Sequence, residues 1–225
     1  MSRKVFTAGQ VLAAADVNSF LMDQTVMSFA GSAARGSAIP TPTLGMYTHL
    51  EDALPRQEFW NGSTWRSPFG MTLISNTTVT ATPAVILDNI FSNEYQNYRI
   101  NIKWTATCPA MRLEPRASGT TVNGNFHTAI LGITYLGGAS NIIQTNTTFA
   151  QINDGYAGSR GAQTLEIFDP TSNAETSYQI MGISEVAHVG ATSQLNGTVV
   201  TGLRISTSTG ANFSATIRVY GYRNQ

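Results

Sequence analysis

The chain has 225 residues, enough for one large β domain or for an ordinary domain with an additional segment. Only 12% of the residues are charged, the net charge is zero, and lysine occurs only at Lys4 and Lys103, so the cationic surface of a nucleic-acid-binding protein is not expected. Cys108 is the only cysteine, which excludes an intrachain disulfide, and the chain shows neither a membrane-spanning run nor a signal peptide. We therefore expect a protein assembled in a cytoplasm, without membrane insertion.

An amphipathic helix is predicted near the N-terminus, over about residues 14–30. Its apolar side chains recur with the period of a helix, at Val17, Phe20, Leu21 and Met27. Breakers that should end it follow at Gly31, Gly36 and residues 40–42. One helix of this length cannot bury its own apolar stripe, so it must pack on its own body, on sister copies or on a partner. In a bundle of three copies, Gln24 would form a polar layer that sets the register.

Residues 44–69 predict a small β module. "GMYTHL" is typical of a short strand, "EDALPR" of a turn, and "EFW" and "TWRS" of the two arms of a hairpin. Two registers remain open, because either Asn61-Gly62 or Gly62-Ser63 could form the turn. Trp60 and Trp65 lie on the same face in both registers, and they face each other directly only in the second. The pair could be a local aromatic clasp, a subunit contact or a ligand platform.

Residues 71–225 alternate between apolar and polar side chains in one strand-like run after another. The clearest is "YRINIKWTA", and similar runs are "TAILGITYL", "QTLEIFDP", "SYQIMGIS", "LRISTST" and "SATIRVYGY". Clusters of Gly, Asn, Asp and Pro separate these runs, without helical periods between them. This pattern predicts a mainly β chain, with an antiparallel, jelly-roll-like β-sandwich at residues 71–225 and the helix and hairpin module at residues 1–70.

Residues that carry chemistry are sparse and scattered. The three histidines, His49, His127 and His188, lack the spacing of a metal site. Glu166 and Asp169 would point to opposite faces of a strand, so they would not form the carboxylate pair of a glycoside hydrolase. The motifs of a serine nucleophile, a phosphate-binding loop or a dinucleotide site are missing. We therefore predict no catalytic, cofactor-binding or metal-binding residue.

Two parts of the chain resemble virion proteins of tailed bacteriophages. The stretches "FTAGQVLAAADVNSFLMDQTVMSFA" and "AARGSAIPTPTLGMYTHLED", followed by the "WNGSTW" hairpin, resemble the N-terminal module of minor tail and fibre-like proteins. The stretches "SNEYQNYRINI", "LEIFDP" and "FSATIRVYGYRNQ" are similar to the terminal β-sandwich of such proteins. One departure is Ala13, where the family often has a helix-capping Thr or Ser.

The resemblance implies a non-enzymatic, commonly trimeric virion protein. We expect a homotrimer that contacts other virion proteins and host-surface glycans, either as a minor tail or fibre-like protein or as a head-decorating fibre or cement protein of the capsid. The less favoured alternatives are a polysaccharide depolymerase and a soluble sugar-binding sandwich. Residues 1–70 should attach to the virion, and the expected oligomerisation and attachment residues are Val17, Phe20, Leu21, Gln24, Met27, Trp60 and Trp65.

Overall fold

The computed structural model describes residues 9, 11, 13–15, 26–68, 70–105, 110–122, 125–134, 139–153, 161–183, 186–194 and 197–222. Most of them lie in strands of antiparallel sheets, so the predicted mainly β fold is confirmed. The chain forms two compact units, Met1–Gly70 and Met71–Gln225. The described part contains no helix that is long and apolar enough to cross a membrane.

The first unit contains a four-stranded sheet and a short helix. The strands, in sheet order, are β1 (Met27–Phe29), β2 (Tyr47–Leu50), β3 (Arg56–Trp60) and β4 (Trp65–Arg66). β1 pairs parallel with β2, whereas the other neighbours are antiparallel. The helix α1 (Ser32–Ala38) connects β1 to the segment before β2. The "GMYTHL" strand and the tryptophan hairpin are therefore present as predicted.

The predicted helix over residues 14–30 is wrong at its C-terminal end. Ala14 and Ala15 are helical, and residues 16–25 lie outside the described residues. Met27–Phe29 is strand β1, because these residues pair with β2 and this pairing outweighs a weak helical preference. The two glycines do not end a helix: Gly31 is the N-cap of α1, and Gly36 lies inside it.

The second unit is built from two sheets. Its strands are β5 (Met71–Thr82), β6 (Ala84–Leu87), β7 (Asn97–Trp104), β8 (Met111–Ala117), β9 (Thr120–Thr121), β10 (Phe126–Thr134), β11 (Ala139–Thr147), β12 (Ala150–Gln151), β13 (Ala162–Phe168), β14 (Thr176–Ile183), β15 (Val186–Gln194), β16 (Gly202–Thr207) and β17 (Phe213–Tyr222). Eight strands form the larger sheet, in the order β11-β10-β15-β14-β13-β7-β17-β5. The smaller sheet has the order β12-β8-β16-β6, with β9 paired to β8.

The two sheets share one hydrophobic core, which makes this unit a β-sandwich. Side chains from the larger sheet, such as Ile100 and Ile217, belong to the same buried cluster as Leu113 and Ile205 of the smaller sheet. The alternation predicted for "YRINIKW" is confirmed, because Tyr98, Ile100, Ile102 and Trp104 are all buried. Strand β7 therefore gives one face to the core and leaves the other outside.

Candidate functional site

The tryptophan hairpin of the first unit adopts the register in which the two indoles face each other. Trp60 pairs with Trp65, and their ring centroids lie 5.5 Å apart in an edge-to-face arrangement with 62° between the planes. Asn61 holds the turn, because its Oδ1 accepts hydrogen bonds from the backbone N–H of Ser63 (3.0 Å) and Thr64 (2.8 Å). Gly62 has φ +99°, which only glycine adopts without strain.

Helix α1 contributes Arg35 to this hairpin. The guanidinium carbon of Arg35 lies 4.4 Å from the centroid of the Trp65 ring, in a cation–π contact. Its Nη1 donates a hydrogen bond to Oε2 of Glu58, and both side chains are largely buried, with exposed fractions of 10% and 12%. Glu58 and Trp60 share a face of β3, because they are two residues apart in the strand. One arginine thus links the helix to two strands.

The charge network continues from Glu58 toward solvent. Arg56 donates from Nε to Oε1 of Glu58 over 3.0 Å, and from Nη1 to both carboxylate oxygens of Asp52, each over 3.0 Å. The side chains of Arg56 and Asp52 are 28% and 32% exposed. The network therefore has a buried end at Arg35 and a solvated end at Asp52.

The electrostatics of Arg35 follow from this position. Burial, and secondarily the nearby positive charge of Arg56, lower the pKa of Arg35 from its usual value. Arginine nevertheless stays charged in proteins, so this cation needs its anionic partner. Its Nε has no hydrogen-bond acceptor among the described residues, and the face of the Trp65 ring supplies the remaining electrostatic contact.

A second aromatic pair occupies the opposite face of the same sheet. Tyr47 and Phe59 stack with their ring centroids 5.8 Å apart, and Tyr47 is exposed. Arg66 lies opposite Phe59 in the strand register. The sheet therefore has a face under α1 that carries the Arg35–Glu58 pair and the indoles, and an opposite face that carries the Tyr47–Phe59 pair and Arg66.

The expected attachment residues divide into three groups. Val17, Phe20, Leu21 and Gln24 lie outside the described residues. Met27 belongs to β1, where it pairs with Thr48 and is half-buried, so it is not part of a continuous helical stripe. Trp60 and Trp65 meet directly, as one of the two predicted registers requires.

Arg35 and Glu58 were missed by the sequence reasoning. A signal existed for Glu58, because the two-residue period of a strand places it on the face of Trp60. The signal for Arg35 was weak, since it is a lone arginine among small residues in "SAARGSA".

The side chains of this site engage one another through ion pairs, a cation–π contact and the contact between the two indoles. The described residues include no group of three or more His, Cys, Asp or Glu side chains that could hold a metal ion. A search with models of known protein families finds no match to this chain, and a search of curated proteins finds no related sequence.

Proposed function

We propose that this chain is a structural virion protein of a tailed bacteriophage, a homotrimeric minor tail or fibre-like protein that contacts the host surface. The observation that carries the proposal is the order of its two units. A small N-terminal unit with its own charge and aromatic network precedes a separate β-sandwich, the same order as in the virion proteins that the sequence resembles.

The state of the carboxylates supports a non-enzymatic role. A catalytic carboxylate must be available to its substrate, usually with a second carboxylate or a base nearby. In this chain, arginine ion pairs engage Asp52, Glu58, Asp88, Glu114 and Glu166. We interpret these acids as structural partners of arginine, and the proposal assigns no reaction to the protein.

The first unit suits attachment to the rest of the virion. Its buried Arg35–Glu58 pair and its facing indoles give it a specified shape, which a docking module needs to fit one partner. In this proposal residues 1–70 attach the protein to the virion, and residues 71–225 form the body that contacts host-surface glycans.

Negative-stain electron microscopy of virions with a labelled antibody against residues 71–225 tests the proposal. Label at the tail tip or on a tail fibre is expected. Label over the capsid would transfer the protein to the head-decorating fibre or cement class, and virions without label would overturn a virion role altogether. A reducing-sugar assay with host capsule is expected to remain at background, and release of sugar ends would revive the depolymerase alternative.

A further inference from the structure

One face of the sandwich exposes an unusual number of large aliphatic side chains. Five of them lie on β10, β11, β14 and β15, four neighbouring strands of the larger sheet. Their exposed fractions are 61% for Leu131, 78% for Ile143, 64% for Met181, 64% for Ile183 and 59% for Val189. We call these five residues the aliphatic face.

The strand register makes the aliphatic face continuous. Val189 on β15 is the direct partner of both Leu131 on β10 and Met181 on β14, so these three side chains form one row. Ile183 follows Met181 on the same face of β14, and Ile143 pairs with Ala129, the residue two before Leu131. A groove of about 520 Å³ is lined by Leu131, Met181 and Val189, and on the side of β13 also by Glu166, which is paired with Arg99.

Folding of the sandwich does not require these side chains. The opposite face of the same strands already supplies the core, with Ile130, Tyr178 and Ile180 fully buried. The five side chains together expose on the order of 600 Å², at the upper end of the largest apolar patch of a typical monomer. That area approaches the ~800 Å² that each partner buries in a standard protein interface.

The chemistry of the face favours a second copy of this chain over other partners. β10, β11, β14 and β15 contain no Asp, Glu, Lys or Arg, so two copies of the face can meet without like-charge repulsion. A membrane surface would be met by cationic residues around the patch, and a sugar ring by an aromatic side chain. The strands of the face carry no Lys or Arg. The aromatic side chains that line the adjoining groove beside Ile143 are the half-buried Phe168 and the buried Tyr178.

The edge of the sheet points the same way. β11 is the terminal strand of the larger sheet as described, and it carries no charged residue. An uncharged edge next to an apolar face invites uncontrolled pairing unless something covers it. Contact between copies of the sandwich would cover the apolar face that adjoins this edge.

We propose that the aliphatic face is the self-association surface of the sandwich, turned toward the three-fold axis so that the faces of the three copies meet there. The stoichiometry of three rests on the proposed function, but the contact itself does not. Closed symmetry places identical faces around a shared axis without new surface chemistry. The body of the protein would thus hold the trimer together independently of its N-terminal residues.

The test compares variants of the full chain by light scattering at micromolar concentration. Val189→Glu puts one carboxylate per copy into the centre of the face, and it should convert the trimer to monomers. Ile86→Glu is the matched control, because Ile86 is 53% exposed on the smaller sheet and should leave the trimer intact. Val189→Thr keeps the β-branched shape and the strand preference, and should raise the dissociation constant at least about tenfold. Circular dichroism checks that each variant is folded.

The outcomes separate this surface from the proposed function. A Leu21→Glu variant tests the predicted N-terminal helix contact in parallel. If Val189→Glu leaves a trimer that Leu21→Glu dissociates, the face is not the contact but the homotrimer stands. A dimer that Val189→Glu dissociates supports the face and overturns the three-fold arrangement. A parent protein that is monomeric at micromolar concentration overturns both.

Discussion

Replacing Glu58 with Gln should destabilise the first unit strongly. Glu58 accepts hydrogen bonds from Arg35 at the buried end of the network and from Arg56 at its other oxygen. The amide of Gln has nearly the same shape as the carboxylate but carries no charge. The guanidinium of Arg35 would then remain under α1, with the ring of Trp65 but without an anion.

The magnitude follows from burial. The side chains of Arg35 and Glu58 are only 10% and 12% exposed, so water screens the orphaned charge poorly. Removing one member of a buried ion pair costs about 3–5 kcal/mol, and we expect about 3 kcal/mol here because Trp65 still contacts the cation. Asp52→Asn is the matched control, since it makes the same carboxylate-to-amide change at the solvated end and should cost less than about 1 kcal/mol.

The assay is urea unfolding followed by tryptophan fluorescence. The chain has three tryptophans, and Trp104 lies in the sandwich, so a Trp104→Phe background restricts the signal to Trp60 and Trp65 in the first unit. Glu58→Gln should move the midpoint of that transition much further than Asp52→Asn. Equal small shifts for the two variants would show that the Arg35 pair is effectively solvated and that burial does not increase its contribution to stability.

Three other perturbations have defined outcomes. The Trp60→Ala, Trp65→Ala double variant should lower the stability of the first unit by about 2–3 kcal/mol, because both indoles are half-buried and in contact. An unchanged melting temperature in calorimetry would show that the pair does not stabilise the unit. Burial and the hydrogen bond to Glu166 raise the pKa of Tyr222 to about 12. The contribution of Tyr222 to the free energy of unfolding should therefore be fully present below pH ~10 and be lost as the pH rises toward 12. Tyr222→Phe should flatten the plot of urea midpoint against pH in that range, and an unaltered plot would contradict this. Removing residues 1–25 should lower incorporation into virions in immunoblots while the β-sheet circular dichroism stays the same, and normal occupancy would reverse the proposed polarity of attachment.

The truncation illustrates how the structure corrects the sequence reasoning. The predicted helix over residues 14–30 suggests a deletion of residues 1–40 as the clean test of attachment. That deletion would remove β1 and α1, and with α1 the partner of Glu58. A cut after residue 25 leaves the described elements of the first unit intact, and one after Gly70 follows the observed unit boundary.

The sandwich was predictable because its strands alternate strongly. Each of the six runs identified in the sequence overlaps one strand, and the "YRINIKW" run has its core face on the predicted side. Four other strands of at least seven residues were not among those runs, namely Met71–Thr82, Met111–Ala117, Ala139–Thr147 and Val186–Gln194. Met71–Thr82 is rich in Ser, Thr and Asn with few apolar residues, and Met111–Ala117 contains Pro115, which usually demotes a run to an edge strand or a loop.

The local geometry of the hairpin was only half predictable. Strand parity placed both indoles on one face in either register, but it could not choose between two turns that glycine allows. The choice became visible in the hydrogen bonds that Asn61 accepts from the turn. Long-range partners such as Arg35 and Glu58, 23 residues apart, depend on tertiary packing that local patterns do not encode.

The few charges of this chain acquire a common explanation from the structure. Arginines that look scattered in the sequence pair with carboxylates, as in Arg99–Glu166 on the larger sheet and Arg116–Asp88 and Arg204–Glu114 beside the smaller one. Asp88 accepts one hydrogen bond from Nε of Arg116 over 2.6 Å and a second from Nη2 over 3.1 Å. This is a bidentate ion pair, which lysine cannot form.

This pairing divides the outer face of the larger sheet into two halves. β7 and β13 carry the Arg99–Glu166 pair, whereas β10, β11, β14 and β15 carry no Asp, Glu, Lys or Arg at all. If low charge were only a general property of the composition, charged residues would be expected on each strand group in similar numbers. Their confinement to one half leaves the other half suited to contact with the same surface of a second copy. The comparison of Val189→Glu with Ile86→Glu tests this directly, because it measures whether a new charge on each sheet changes the oligomeric state.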